Sequence, residues 1–196
     1  MLEKVQNYFH ESIQNRISVA GELPEQLINA AERIVSCLLQ GNKVIVCGDG
    51  RSYINAQLFV ANLQHRYDIA RPSLAASLLQ YDNVLAACLA QEQNLDQLYK
   101  KQFKAIAKQG DILVIFAPKG EEKIIQNTVQ SAVADNISVL AFTSLLNSGI
   151  SAWLGNNDLE IRIPLSNEMR AIEEHHFCVN LLSELIDNLL FNPTPY

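Results

Sequence analysis

Four times along this chain a short, apolar, β-branched run breaks off at a turn or a proline and gives way to other structure. No other sequence feature restricts the fold as much. Lys43 to Cys47 (KVIVC) stops at Gly48-Asp49-Gly50, after which Ile54, Leu58, Phe59 and Leu63 recur at helical spacing. Asp111 to Phe116 (DILVIF) enters a turn at Ala117 to Gly120, followed by a helix carrying Ile124, Ile125, Val129 and Val133. A third run covers Ile137 to Phe142, and a fourth, Leu159 to Ile163, stops at Pro164 before a long helical pattern from Glu168 through Leu190. Strands that alternate with helices imply a parallel sheet. Leu74 to Leu79, between Arg71-Pro72 and Asp82-Asn83, supplies a fifth strand. The expected fold is α/β, a doubly wound three-layer αβα sandwich with a five-stranded parallel sheet and its sites at the carboxyl ends of the strands.

Two helices in series precede the first strand. Val5, Tyr8, Phe9, Ser12, Ile13, Arg16, Ile17 and Ala20 fall at three-and-four spacing, and Leu23-Pro24 then breaks the pattern. Leu27, Ile28, Ala31, Ile34, Val35, Leu38 and Leu39 resume it, with Gly41 as the C-terminal stop. A chain of 196 residues is the size of one ordinary domain. Residues 1–40 therefore read as helices belonging to the same domain as 41–196, with greasy stripes suited to contacts between subunits.

Composition narrows the function classes. A chain with 48% hydrophobic and 18% charged residues is not disordered, and no stretch approaches the ~20 apolar residues of a membrane span. The amino terminus lacks a basic region followed by a cleavage site, so a cytoplasmic location is expected. A net charge of -6 argues against direct DNA binding, because non-specific affinity for nucleic acid comes from clustered Lys and Arg. Cys37, Cys47, Cys88 and Cys178 are widely spaced within apolar runs and read as core thiols. His65 reads as a surface residue at a helix end, and His175-His176 as neighbours that point about 100° apart and cannot converge on a metal. No cofactor is expected.

The loop CGDGRS, Cys47 to Ser52, ends a strand and opens a helix, where backbone N–H groups and the helix dipole can hold an anion. Alone it is a weak signal, since glycine turns often serve geometry only. Taken together, GDGRSYINAQLF, HRYDIARPS, GDILVIFAPKG, VLAFTS, DLEIRIP and the ending ELIDNLLF resemble the SIS-domain family over nearly the whole chain. The likeness is to bacterial phosphoheptose isomerases and their DnaA initiator-associating paralogues. It implies a flavodoxin-like sheet and a crevice for phosphorylated sugars, for which Gly48, Gly50, Ser52, Gln57 and Arg71 are the candidate residues.

The same resemblance tests for catalysis. The isomerases carry a His and a Glu on the helix after the first loop and a Gln and a His on the last helix. Here those positions hold Leu58, Asn62, Ile172 and Asn180. Leu and Ile cannot ligate zinc, and Asn cannot take and return a proton near neutral pH. The serine-rich second loop of the isomerases is Ala117-Pro118-Lys119-Gly120-Glu121-Glu122, where the two acids suit a helix N-terminus and repel phosphate. The resemblance therefore implies a non-catalytic homotetramer that binds the N-terminal domain of DnaA through Leu190 and Phe191. The alternative is a phosphoheptose isomerase or a sugar-phosphate-binding sensor. Read without the resemblance, an apolar pair beside Pro193 and Pro195 is as compatible with core closure as with exposure.

Overall fold

The computed structural model describes residues 1–147 and 149–191. In chain order the elements are α1 Leu2–Glu22, α2 Pro24–Leu39, β1 Val44–Gly48, α3 Tyr53–Gln64 and β2 Ala76–Leu78. They continue with α4 Asn83–Gln91, α5 Leu98–Ile106, β3 Ile112–Phe116, α6 Lys123–Ala134, β4 Ser138–Ser144, β5 Leu159–Ile163 and α7 Glu168–Phe191. The strands form one parallel sheet in the order β2-β1-β3-β4-β5. Val44 lies opposite Ala76 on one side and Ile112 on the other.

Alternate residues of each strand enter two separate cores. Val44 and Val46, Ile112, Val114 and Phe116, Leu140 and Phe142, and Ile161 and Ile163 pack with residues of α2, α3 and α7. Ile45 and Cys47, Leu113 and Ile115, and Val139 and Ala141 pack with residues of α4, α5 and α6. A strand covered on both faces has no polar side, which is why these segments read as unbroken apolar runs. Phe116 and Phe142 stack at 4.8 Å between ring centres in the first core.

The two amino-terminal helices take different roles. α2 belongs to the core, with Ala30, Ala31 and Ile34 fully buried. It ends in a Schellman motif, in which Gly41 N–H donates to Leu38 O, Asn42 N–H donates to Cys37 O, and Gly41 takes φ +76°. In α1 only Val19 is buried, and Phe9, Ile13 and Ile17 are 57–66% exposed. The inward face of α1 is polar and carries charges of both signs. Arg170 of α7 is buried under it, lies 3.4 Å from the Tyr8 ring centre and pairs with Glu11 and Glu173 at 3.0 Å. Arg16 pairs with buried Glu174 at 2.7 Å and stacks over Phe177.

Two corrections concern the segment 80–110 and one thiol. α4 and α5 stand where sequence reasoning assigned no element, and Asp82, read only as a boundary, caps α4 by accepting Leu85 N–H at 2.7 Å. Cys37, Cys47 and Cys178 are buried, and desolvation pushes their thiols up. Cys88 is exposed, because α4 buries only Leu89 and the preceding position faces outward.

Candidate functional site

From β1 the chain leaves to β2 on one side and returns to β3 on the other. This reversal opens a crevice between the loops that follow β1 and β3. In the first loop Gly48 O accepts the Tyr99 hydroxyl at 3.1 Å, and a Cβ on Gly48 would stand 2.8 Å from Ser52 O. Gly50 takes φ +54°, and Ser52, only 2% exposed, donates its N–H to Asp49 O. Gly48, Gly50 and Ser52 thus gather at the head of β1, while Gln57 lies on the exposed flank of α3.

The second loop is closed by its own contacts. Gly120 takes φ +68°, and a Cβ there would come within 2.1 Å of Asn147 Oδ1. Ser144 Oγ donates to Pro118 O at 2.7 Å, and Gln126 Nε2 donates to Gly120 O at 2.7 Å. Lys119 pairs with Glu168 at 2.8 Å, and Arg51 Nη1 reaches Met169 Sδ at 3.2 Å, so the first turn of α7 is tied to both loops.

Charge in the crevice is mostly negative. Glu122 is the N-cap residue of α6, but its side chain makes no capping hydrogen bond, and its Oε2 is buried without a partner. Burial, and to a lesser degree Asp49 and Glu168, push its carboxyl upward, while Lys119 opposes them. Glu122 thus stands at the helix N-terminus, as expected of it, but without a capping hydrogen bond.

The four isomerase positions lie along the seam where α3 and α7 run side by side. Leu58 packs against the first core. Buried Asn62 donates Nδ2 to Ser183 Oγ at 3.1 Å. Ile172 offers only its carbonyl, which accepts Asn55 Nδ2 at 3.1 Å, and Asn180 is half-buried. His176 Nδ1 lies 3.3 Å from Asn55 Oδ1. Among the described residues no group of three or more His, Cys, Asp or Glu is disposed to hold a metal ion. The seam is packed and hydrogen-bonded, and the four positions themselves hold no His or carboxylate.

Arg71 must be corrected. Its guanidinium pairs with Asp187 at 2.6 Å and donates to Leu63 O, Pro72 O and Asn62 O. Asn62 and Leu63 belong to the last turn of α3, at the end remote from the first loop, and the Arg71 side chain is 1% exposed. An arginine so buried and with four of its five donors committed there is not directed at a phosphate in the crevice. The terminal pair is also split, because Leu190 packs against the first core while Phe191 is 38% exposed. Pro193 and Pro195 lie outside the described residues.

The SIS domain model matches residues 7–144. The chain belongs to the SIS-domain family. The DnaA initiator-associating protein DiaA of Enterobacter sp. (strain 638) is 40% identical over 191 residues, covering 97% of each chain. An uncharacterized protein of Haemophilus influenzae is 45% identical over 97% of this chain and 98% of its own length. Among solved SIS structures, a phosphoheptose isomerase from Francisella tularensis superposes with a TM-score of 0.90 at 32% identity, covering 95% of this chain and 98% of that one. Among the described residues no helix is long and apolar enough to cross a membrane.

Sequence reasoning weighed His175 only as a metal ligand and missed that it is a core residue. It is fully buried against Phe116 and Phe142, and its Nε2 donates to Thr143 O at 3.0 Å. Its Nδ1 has no partner, and desolvation lowers its pKa to about 4. The apolar residues flanking it at helical spacing, Ala171, Cys178 and Val179, were the available signal for a core position.

Proposed function

We propose that this chain is a non-catalytic, homotetrameric SIS protein that binds the N-terminal domain of DnaA and promotes its assembly at the replication origin. The observation that carries this reading is the seam at Leu58, Asn62, Ile172 and Asn180. It lacks the His and carboxylate groups an isomerase needs, in a chain 40% identical to proteins named for DnaA association. Phe191, half-exposed at the end of α7, supports a contact there. The outward stripe of α1, with Phe9, Ile13 and Ile17 bare, supports subunit contacts, since an apolar face of this kind is costly to leave in water. A tetramer would present several equivalent docking sites and hold several DnaA molecules together without touching DNA, a role that suits a net charge of -6.

The test is capture of the purified DnaA N-terminal domain by this protein, repeated with Phe191→Ala. Saturable binding that the substitution abolishes is the expected result. Absence of binding by the unmodified protein sinks the proposal. The second reading, a sugar-phosphate isomerase or sensor, is favoured by the superposition on phosphoheptose isomerase and by Ser52 in the first loop. It requires turnover of sedoheptulose 7-phosphate, or a saturable rise in melting temperature with that ligand.

A further inference from the structure

The ion pair between Arg71 and Asp187 joins the segment leading from α3 to β2 to the last turns of α7. Arg71 holds Asp187 Oδ1 with Nε, while its Nη1 and Nη2 groups hold the carbonyls of Leu63, Pro72 and Asn62. Asn62 and Leu63 lie in the final turn of α3, where helix carbonyls have no intrahelical donor. One guanidinium therefore caps α3 and anchors α7 at once. Both side chains are at least 95% buried. Asp187 stands four residues before Phe191, so the two project from one face of α7, one turn apart.

We infer that Arg71 is a positioning residue for partner docking: by clamping Asp187 it fixes the direction in which Phe191 leaves the end of α7. The inference rests on the reading that Phe191 contacts DnaA. A terminal turn frays readily unless a tertiary contact holds it, and a docking aromatic binds best when already ordered. Leu190 supplies one restraint by packing into the core, and the Arg71–Asp187 pair supplies the other from the face that carries Phe191. Lysine cannot replace this arginine, because one ammonium does not reach a carboxylate and three carbonyls arranged around a planar fork.

The experiment compares the unmodified protein with Phe191→Ala, Arg71→Ala, Arg71→Lys and Asp187→Asn. It reads binding of the DnaA N-terminal domain, hydrogen exchange along α7, and melting temperature. Arg71→Ala is expected to speed exchange in the turns from Asp187 to Phe191 ahead of the rest of α7. It is also expected to weaken binding about tenfold or more, the scale of an interface hot spot. Arg71→Lys should fall between. If Arg71→Ala does not fold, Asp187→Asn, which keeps the shape and removes the charge, is judged by the same two readouts. A folded variant with faster exchange at Phe191 and undiminished binding overturns the inference, as does lost binding with the exchange of the last turn unchanged. If the unmodified protein does not bind, or Phe191→Ala binds equally, it is the docking reading that fails. The exchange profile of Arg71→Ala then still shows whether the clamp orders the last turn.

Discussion

Stability of this protein below neutral pH should be governed in large part by His175. Its ring is fully buried edge-on against the stacked Phe116 and Phe142, with a single hydrogen bond to Thr143 O and no partner at Nδ1. Burial strips a charged imidazole of its water, and the single bond to Thr143 O only partly offsets that, so its pKa falls from the ordinary 6.5 to about 4. In the unfolded chain the same ring takes up its proton near its ordinary value. The folded pKa is the depressed one, so the contribution of His175 is fully present above pH 6.5 and is lost as pH falls toward 4. Between pH 7.5 and pH 5 the linkage relation gives a loss of about 2 kcal/mol from this group alone. Urea unfolding at a series of pH values measures it, with His175→Gln as the reference because it lacks an ionisable ring. Glu122 has a raised carboxyl pKa and acts in the opposite sense, but it is common to both proteins and cancels in the difference. The unmodified protein should lose about 2 kcal/mol more than the variant over this range. Parallel curves for the two proteins would refute the argument.

Other consequences can be checked separately. Gly120→Ala places a Cβ 2.1 Å from Asn147 Oδ1 at φ +68° and should cost about 2 kcal/mol or more in urea unfolding. Phe9→Asp with Ile13→Asp touches no buried residue of α1, so secondary structure should survive while light scattering reports a smaller particle; an unchanged mass would count against the α1 stripe as a subunit contact. Sedoheptulose 7-phosphate should neither be converted nor raise the melting temperature, since Asp49, Glu122 and Glu168 give the crevice a negative field; a saturable rise would favour the sugar-phosphate reading.

The sheet was legible because its strands are buried on both faces. VIVC, ILVIF and VLAF can be nothing but interior strands once turns bound them, and the glycines at 48, 50 and 120 mark where the backbone must turn sharply. The segment carrying α4 and α5 was opaque for the complementary reason. α4 buries only Leu89, and α5 sets Leu98, Tyr99 and Phe103 among lysines, so neither displays a long periodic stripe. The side-chain pattern of α1 was legible, but the direction of its apolar stripe was not. A hydrophobic stripe normally faces the core, whereas here the inward face is built from Tyr8, Glu11 and Arg16 against Arg170, Glu173 and Glu174, contacts made across more than 150 residues of chain.

Arg71 shows how a motif can be matched at the right position and still be assigned the wrong role. Its place before Pro72 is a sequence fact, and a cation near a phosphate-binding family's crevice invites an anion. What decides its role is the company of its donors, and that depends on where α3 ends. α3 starts beside Ser52 at the carboxyl end of β1 and runs back along the sheet, so anything bonded to the carbonyls of Asn62 and Leu63 lies at the end of α3 away from the first loop. α7 runs beside α3 in the same direction, from Glu168 at the second loop to Asp187 at Arg71. The two helices therefore carry the first glycine loop at one end and an exposed aromatic at the other. The seam between them, which would hold the chemistry of an isomerase, is filled here by Leu58, an Asn62–Ser183 hydrogen bond and Asn55 bound to Ile172 and His176. A seam locked in this way keeps α7 in fixed register on α3, and a fixed register is what a docking residue at the end of α7 requires.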